Sequence, residues 1–122
     1  MTMRVLVVDD DETTCRLLVK VLSSQGMDAD WTTDSLAGYD LSLHHPYDLF
    51  ILDVRMPLLL GTDLAEGLKK EQPRAKIILI SAFADEALEQ TAKNLGVALL
   101  SKPFTPDHLL KATAQVLGHS PS

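Results

Sequence analysis

Residues 49–52, Leu-Phe-Ile-Leu, form an unbroken apolar run that ends on a single carboxylate, Asp53. Asp48 precedes the run, Pro57 follows it, and Gly61 lies a few residues further on. So short an apolar run, closed by polar and turn residues, predicts a strand buried on both faces. Such strands belong to parallel sheets covered by helices on each side. Asp53 then falls where the chain leaves the sheet, the edge at which open parallel α/β sheets bind ligands. Taken alone, an Asp in that place more often merely starts a turn; the residues below overturn that reading.

The same pattern recurs along the chain. Val5-Leu6-Val7-Val8 predicts a first strand, which runs into four consecutive acids, Asp9-Asp10-Asp11-Glu12. One or two acids at a helix start cap it and favour its dipole, but four exceed that need. The following helix is expected through about Ser24, with Leu17, Leu18, Val21 and Leu22 as its inner stripe and Gly26 as its stop. Residues 27–32 alternate apolar and polar, as an edge strand with one wet face does. Asp34 or Ser35 caps a second helix that ends near His44-His45-Pro46. Adjacent helical residues point about 100° apart, and no Cys or third His is near, so this His pair is not read as a metal site.

A third helix is expected from near Thr62 to before Pro73, with Leu64, Ala65 and Leu68 inward. Ile77-Ile78-Leu79-Ile80 is another buried strand, ending at Ser81-Ala82. A fourth helix covers residues 85–94 and closes at Gly96. Val97–Leu100 forms the fifth strand, ending at Ser101-Lys102-Pro103, and Thr105-Pro106 opens a fifth helix that stops at Gly118. Residues 1–118 thus read as one domain, and 119–122 as a disordered tail or the start of a linker. Strands alternating with helices through short loops imply an α/β fold: a five-stranded parallel sheet with five helices on both faces. The half-polar second strand belongs at an edge and the most apolar strands in the centre. The order 2-1-3-4-5 satisfies this with right-handed crossovers, giving a flavodoxin-like arrangement with a crevice between the first and third strands.

Composition narrows the function. A net charge of −6 argues against a nucleic-acid groove, which needs clustered Lys and Arg. No apolar run reaches membrane-span length and no signal-peptide pattern opens the chain. The lone Cys15 cannot close an internal disulfide, which suits a reducing, cytoplasmic setting, and it reads as a packing residue.

In the expected strand order, four strand ends meet on one rim. They deliver Asp9 and Asp10, Asp53, Ser81, and Lys102. Two like charges 4 Å apart repel by about 4 kcal/mol at an effective dielectric constant of 20, so three clustered carboxylates call for a cation or shifted protonation. An all-oxygen set open to water suits Mg²⁺ better than Zn²⁺, while Ca²⁺ usually takes more protein ligands. With Lys102 and Ser81 beside it, Asp53 is equipped to accept a phosphoryl group as a nucleophile.

On these residues the chain resembles the receiver (CheY-like) domain of two-component response regulators. The matching segments are Val-Leu-Val-Val-Asp-Asp-Asp at 5–11, Leu-Asp-Val-Arg-Met-Pro at 52–57 with Gly61, Ile-Ser-Ala at 80–82 and Ser-Lys-Pro-Phe at 101–104. The resemblance implies a phosphorelay switch with Asp53 as phosphoacceptor. Asp10, Asp53 and the backbone carbonyl of Arg55 would ligate Mg²⁺, with Asp9 acting more through water. Ser81, with Ala82 beside it, and Lys102 would bind the phosphoryl group. The donor would be a phosphohistidine on a sensor histidine kinase or phosphotransfer protein. An effector would read the face formed by the fourth helix, fifth strand and fifth helix, and the family also admits homodimers. Such a domain assists its own phosphorylation and dephosphorylation but is not an enzyme acting on other substrates. A cis Lys102–Pro103 bond is expected as well.

Two departures stand out. Leu99 occupies the position where the family usually has Tyr or Phe as a switch residue. Arg55 and Phe83, two residues after Asp53 and Ser81, fall where the family tunes the lifetime of the phosphorylated state. Two other classes compete: an interaction module that keeps the fold without phosphorylation, and a phosphohydrolase of the haloacid-dehalogenase type. The latter carries a second Asp where Arg55 stands. Flavin binding is disfavoured by the acidic loop after the first strand.

Overall fold

The computed structural model describes residues 2–118, so the tail expected at 119–122 lies outside the described residues. The elements are β1 (Arg4–Val8), α1 (Glu12–Ser24), β2 (Asp28–Thr32), α2 (Ser35–His44), β3 (Leu49–Asp53), α3 (Gly61–Glu71), β4 (Ile77–Ser81), α4 (Glu86–Leu95), β5 (Ala98–Ser101) and α5 (Pro106–Leu117). All strand pairings are parallel, in the order β2-β1-β3-β4-β5.

Strand periodicity divides the core in two. Val5 and Val7, Leu49 and Ile51, and Ile78 and Ile80 face one side, where they pack with Cys15, Leu18 and Leu22 of α1 and Leu109 of α5. Leu6 and Val8, Phe50 and Leu52, and Ile77 and Leu79 face the other, against Leu64, Ala65 and Leu68 of α3 and Ala92 of α4. Successive side chains of a strand point to opposite faces, so a strand covered on both must be apolar at every position. β3 and β4 meet that demand up to their last residues, Asp53 and Ser81, and both strands are buried from end to end. β2, at the edge, is half-buried along most of its length, and its Asp30 accepts a hydrogen bond from the Tyr47 hydroxyl at 2.7 Å.

Helix starts follow the sequence closely. Asp11, Asp34, Asp85 and Thr105 cap α1, α2, α4 and α5, each side chain accepting a backbone N–H of the first turn. These bonds satisfy donors that the helix itself leaves open.

Two details depart from expectation. Leu17 is not on the inner stripe of α1: it is 60% exposed, and Cys15, Leu18 and Leu22 are the buried set. At about 100° per residue, positions 15, 18 and 22 share a face and Leu17 lies about 200° from Cys15. β5 begins one residue later than expected because Val97 belongs to the end of α4. Gly96 adopts φ 71°, and the Val97 N–H returns to the Ala92 carbonyl at 3.0 Å. That is a Schellman closure, which a glycine in the left-handed region permits.

Ile51→Ala should cost about 2–5 kcal/mol of stability in urea unfolding, because it opens a cavity between packed layers. Leu17→Ala should change stability by less than about 0.5 kcal/mol, as exposed positions do. A large loss at Leu17 would contradict its outward placement.

Candidate functional site

The acidic run after β1 splits into separate duties. Asp11 caps α1, accepting the Thr13 N–H at 3.1 Å, and Glu12 pairs with Arg16 at 2.7 Å. Asp9 is fully buried, and its Oδ1 accepts the Asp11 N–H at 2.9 Å. Asp10 stays exposed at the mouth, where its carboxylate joins those of Asp9 and Asp53. One oxygen from each of the three lies within 4.8 Å of the others.

Asp53 is only 6% exposed. Lys102 Nζ lies 2.8 Å from Asp9 Oδ2 and 3.4 Å from Asp53 Oδ1, bridging the exits of β1 and β3 from the end of β5. Burial, and after it the Asp9 charge, push the Asp53 carboxyl up to about 6 against the pull of Lys102. Burial works to lower the pKa of Lys102, but its hydrogen bond to Asp9 and the charges of Asp9 and Asp53 outweigh it and raise the pKa. The Cys15 thiol is pushed up to about 11, chiefly by burial, so it is no nucleophile; its Sγ donates to the Asp9 carbonyl at 3.2 Å. Three convergent carboxylates with one resisting ionisation form a set that a divalent cation would relieve, and their all-oxygen chemistry fits Mg²⁺.

The fourth side of the mouth comes from β4. Ser81 is buried and its Oγ accepts the Phe83 N–H at 3.0 Å. The Lys102 N–H donates to the Ser81 carbonyl at 2.8 Å, which ties the end of β5 to that of β4. From the loops after β3 and β4, the Arg55 guanidinium stands 4.8 Å from the centroid of the Phe83 ring. A cation–π contact at an exposed site is worth about 0.5–1 kcal/mol, less than the roughly 1.5–3 kcal/mol of a hydrogen bond to a charged partner.

A family model described as the response regulator receiver domain matches residues 5–114. The chain belongs to this family of receiver domains. That places it in two-component phosphorelay signalling. It is 31% identical over 118 residues to the transcriptional regulatory protein CusR of Escherichia coli (strain K12), covering 94% of this chain and 51% of that protein. The chain spans about half the length of the curated relatives it matches. A receiver domain protein (CheY-like) from Methanospirillum hungatei has the same fold, with a TM-score of 0.92 at 25% identity over 97% of this chain and 95% of that one. Response regulator protein TrrA from Thermotoga maritima, solved with Mg²⁺ and BeF, gives a TM-score of 0.86 at 28% identity over 94% and 99%.

This receiver domain brings Asp9, Asp10, Asp53, Ser81 and Lys102 to one mouth, with Ala82 exposed after Ser81 and Arg55 stacked on Phe83 in the loops that follow β3 and β4. The Lys102–Pro103 bond is cis. Leu99, level with Leu79 in the sheet, is half-buried against the core cluster of the α3 and α4 side. Sequence reasoning missed the Arg55–Phe83 stack and the duty of Gly61. A Cβ at residue 61 would lie 2.0 Å from the Asp53 carbonyl oxygen, so only glycine lets α3 begin there.

The raised Asp53 pKa carries a sign. Unfolded Asp53 ionises near 3.8 and the folded group near 6, so stability falls as pH rises between those values. In EDTA at pH 7, Asp53→Asn should therefore be more stable than wild type by roughly 1–2 kcal/mol, discounted for the open mouth. The gap should close below about pH 4, where both states hold the proton. Mg²⁺ should raise the wild-type melting temperature and leave those of Asp53→Asn and Asp10→Ala nearly unmoved. An equal gain in Asp10→Ala would place the metal elsewhere.

Proposed function

We propose that Asp53 is the phosphoacceptor of a two-component switch and takes its phosphoryl group from a phosphohistidine. The observation that carries this reading is a nearly buried carboxylate held between two acids, the Lys102 ammonium 3.4 Å away and the neighbouring Ser81. A carboxylate oxygen of Asp53 attacks phosphorus, and the bond from phosphorus to the donor imidazole nitrogen breaks. Lys102 offsets the charge on the transferring group, and the Ser81 hydroxyl, whose proton is not used by the Phe83 amide, is free to donate to a phosphoryl oxygen. Asp9, Asp10, Asp53 and the Arg55 carbonyl would hold Mg²⁺, which when bound supplies positive charge against the phosphoryl oxygens. Water attacking the same phosphorus later returns the carboxylate and releases inorganic phosphate. Arg55 and Phe83, stacked on each other two residues after Asp53 and Ser81, govern how readily that water arrives.

The donor is read as a sensor histidine kinase or phosphotransfer protein. An apolar groove of about 290 Å³ lies between α1 and the start of α5, lined by Leu17, Val21, Phe104 and Pro106 among others. It explains the outward Leu17, and it suits the side of a helix carrying the donor histidine. No described helix is long and apolar enough to cross a membrane. We read the chain as a cytoplasmic receiver domain over residues 1–118 that passes its state to an effector through α4, β5 and α5.

With Mg²⁺ and acetyl phosphate, intact mass should show a single phosphoryl adduct that is absent in Asp53→Asn. Because Asp53 must be ionised to attack, the rate should fall as pH drops through about 6 at limiting Mg²⁺. An adduct that persists in Asp53→Asn would move the acceptor to another residue.

A further inference from the structure

We propose that Arg55 exchanges the Phe83 ring for the phosphoryl group when Asp53 is phosphorylated, and that the freed Phe83 ring carries the change to the surface. The exchange rests on Asp53 being the acceptor.

Charge supplies the drive. Asp9, Asp10 and Asp53 bring three negative charges to the mouth, which Lys102 and one divalent cation balance. A phosphoryl group carries about −1.5 to −2 in place of the Asp53 carboxylate charge, so the phosphorylated mouth is left up to one positive charge short. Arg55, two residues along the chain from Asp53, holds a full positive charge that no carboxylate partners among the described residues. Its guanidinium fork matches phosphate oxygens in pairs, whereas a ring face offers only a quadrupole. The weaker contact therefore yields to the stronger. In the unphosphorylated state the Asp53 carboxylate already has Lys102, and Arg55 rests on the ring. The two states thus differ in what they offer Arg55, which is the condition for a modification to shift an equilibrium.

Phe83 is placed to report the exchange. Its amide is anchored on Ser81 Oγ, so the main chain at 83 is tied to the same rim. Phe83 is 65% exposed and its ring leans on Arg55. Once the guanidinium leaves, the ring loses its partner and turns about its own side-chain bonds. The altered surface is the loop just ahead of α4. This route runs through residues 55 and 83 and makes no use of Leu99, which packs in the core cluster of the α3 and α4 side.

Beryllofluoride with Mg²⁺ serves as the phosphoryl mimic, and NMR of labelled protein is the readout. Binding should shift both the Arg55 Nε–H and the Phe83 ring resonances. Phe83→Leu removes the competing ring while keeping bulk, so it should bind beryllofluoride about two- to fivefold more tightly. Arg55→Gln should bind it roughly tenfold more weakly. Adding Phe83→Leu to Arg55→Gln should then change nothing further. A Phe83 ring that stays still while beryllofluoride binds overturns the exchange. So does a gain from Phe83→Leu that survives in the Arg55→Gln background. If wild type takes neither beryllofluoride nor a phosphoryl adduct, the acceptor reading itself fails and the exchange falls with it; an adduct without ring movement condemns the exchange alone.

Discussion

The Lys102 ammonium, set between Asp9 and Asp53, is the contact on which the rim of this sheet depends. Asp9 has no access to water and would be an uncompensated buried charge without it. Removing one partner from a buried pair typically costs about 3–5 kcal/mol, most of it the penalty of stranding the other charge. The pair joins residues 93 positions apart in the chain, so its geometry requires every strand between them to be in register. Ser81 must face Ser101, Asp53 must lie beside Ile80, and Val8 must end level with Leu52. The apolar layers satisfy those demands by burial, and the ion pair then fixes where their ends meet. Under the function proposed for Asp53, the same ammonium would also offset phosphoryl charge.

Burial on both faces made most of this fold readable from sequence. Leu49–Leu52 and Ile77–Ile80 have no polar position, and only a central strand of a covered parallel sheet demands that. Residues at the strand ends were readable for the same reason, since parallel strands all deliver their C-termini to one edge. Failures came where a local signal was ambiguous. Leu17 belongs to an apolar run in a helix, and neighbouring apolar residues there cannot all face inward. Val97 is apolar enough for a strand, yet the glycine before it hands its amide to the helix end. The Arg55–Phe83 stack joins two loops after different strands, and no pattern within either loop announces it.

Leu99 shows how a departure in sequence takes meaning from packing. It sits level with Leu79 in the sheet and joins the core cluster on the α3 and α4 side. Ser81 lies two residues beyond Leu79 on the same face, so a side chain at 99 is near enough to sense a vacancy there. A leucine, however, has no polar end to stabilise an inward or an outward state selectively. Arg55 and Phe83 have what Leu99 lacks, a charge and a quadrupole already in contact.

The loop from Val54 to Gly61 shows what the site demands of its backbone. The Gly61 N–H returns to the Val54 carbonyl at 2.9 Å, and residue 61 presses against the Asp53 carbonyl. The chain therefore has to reverse within the few residues between. It does so at Pro57-Leu58-Leu59, where the Leu59 N–H bonds to the Pro57 carbonyl at 2.8 Å and Leu58 takes φ 71°. A hydrogen bond two residues back around a positive φ is the γ-turn of the rare, strained kind. Leucine gains nothing in return, since Leu58 is 86% exposed and buries no apolar surface. Leu60 breaks a second local rule by standing at the N-cap of α3 with no side-chain oxygen to offer. Neither choice follows from propensity. Both are tolerated because Gly61 must hold the start of α3 against Asp53, and the buried face of that helix, through Leu64, Ala65 and Leu68, over-determines its position. Strain of this size, about 1–3 kcal/mol per residue, persists where the surrounding structure insists on it. Here what insists is the close packing beneath the carboxylate.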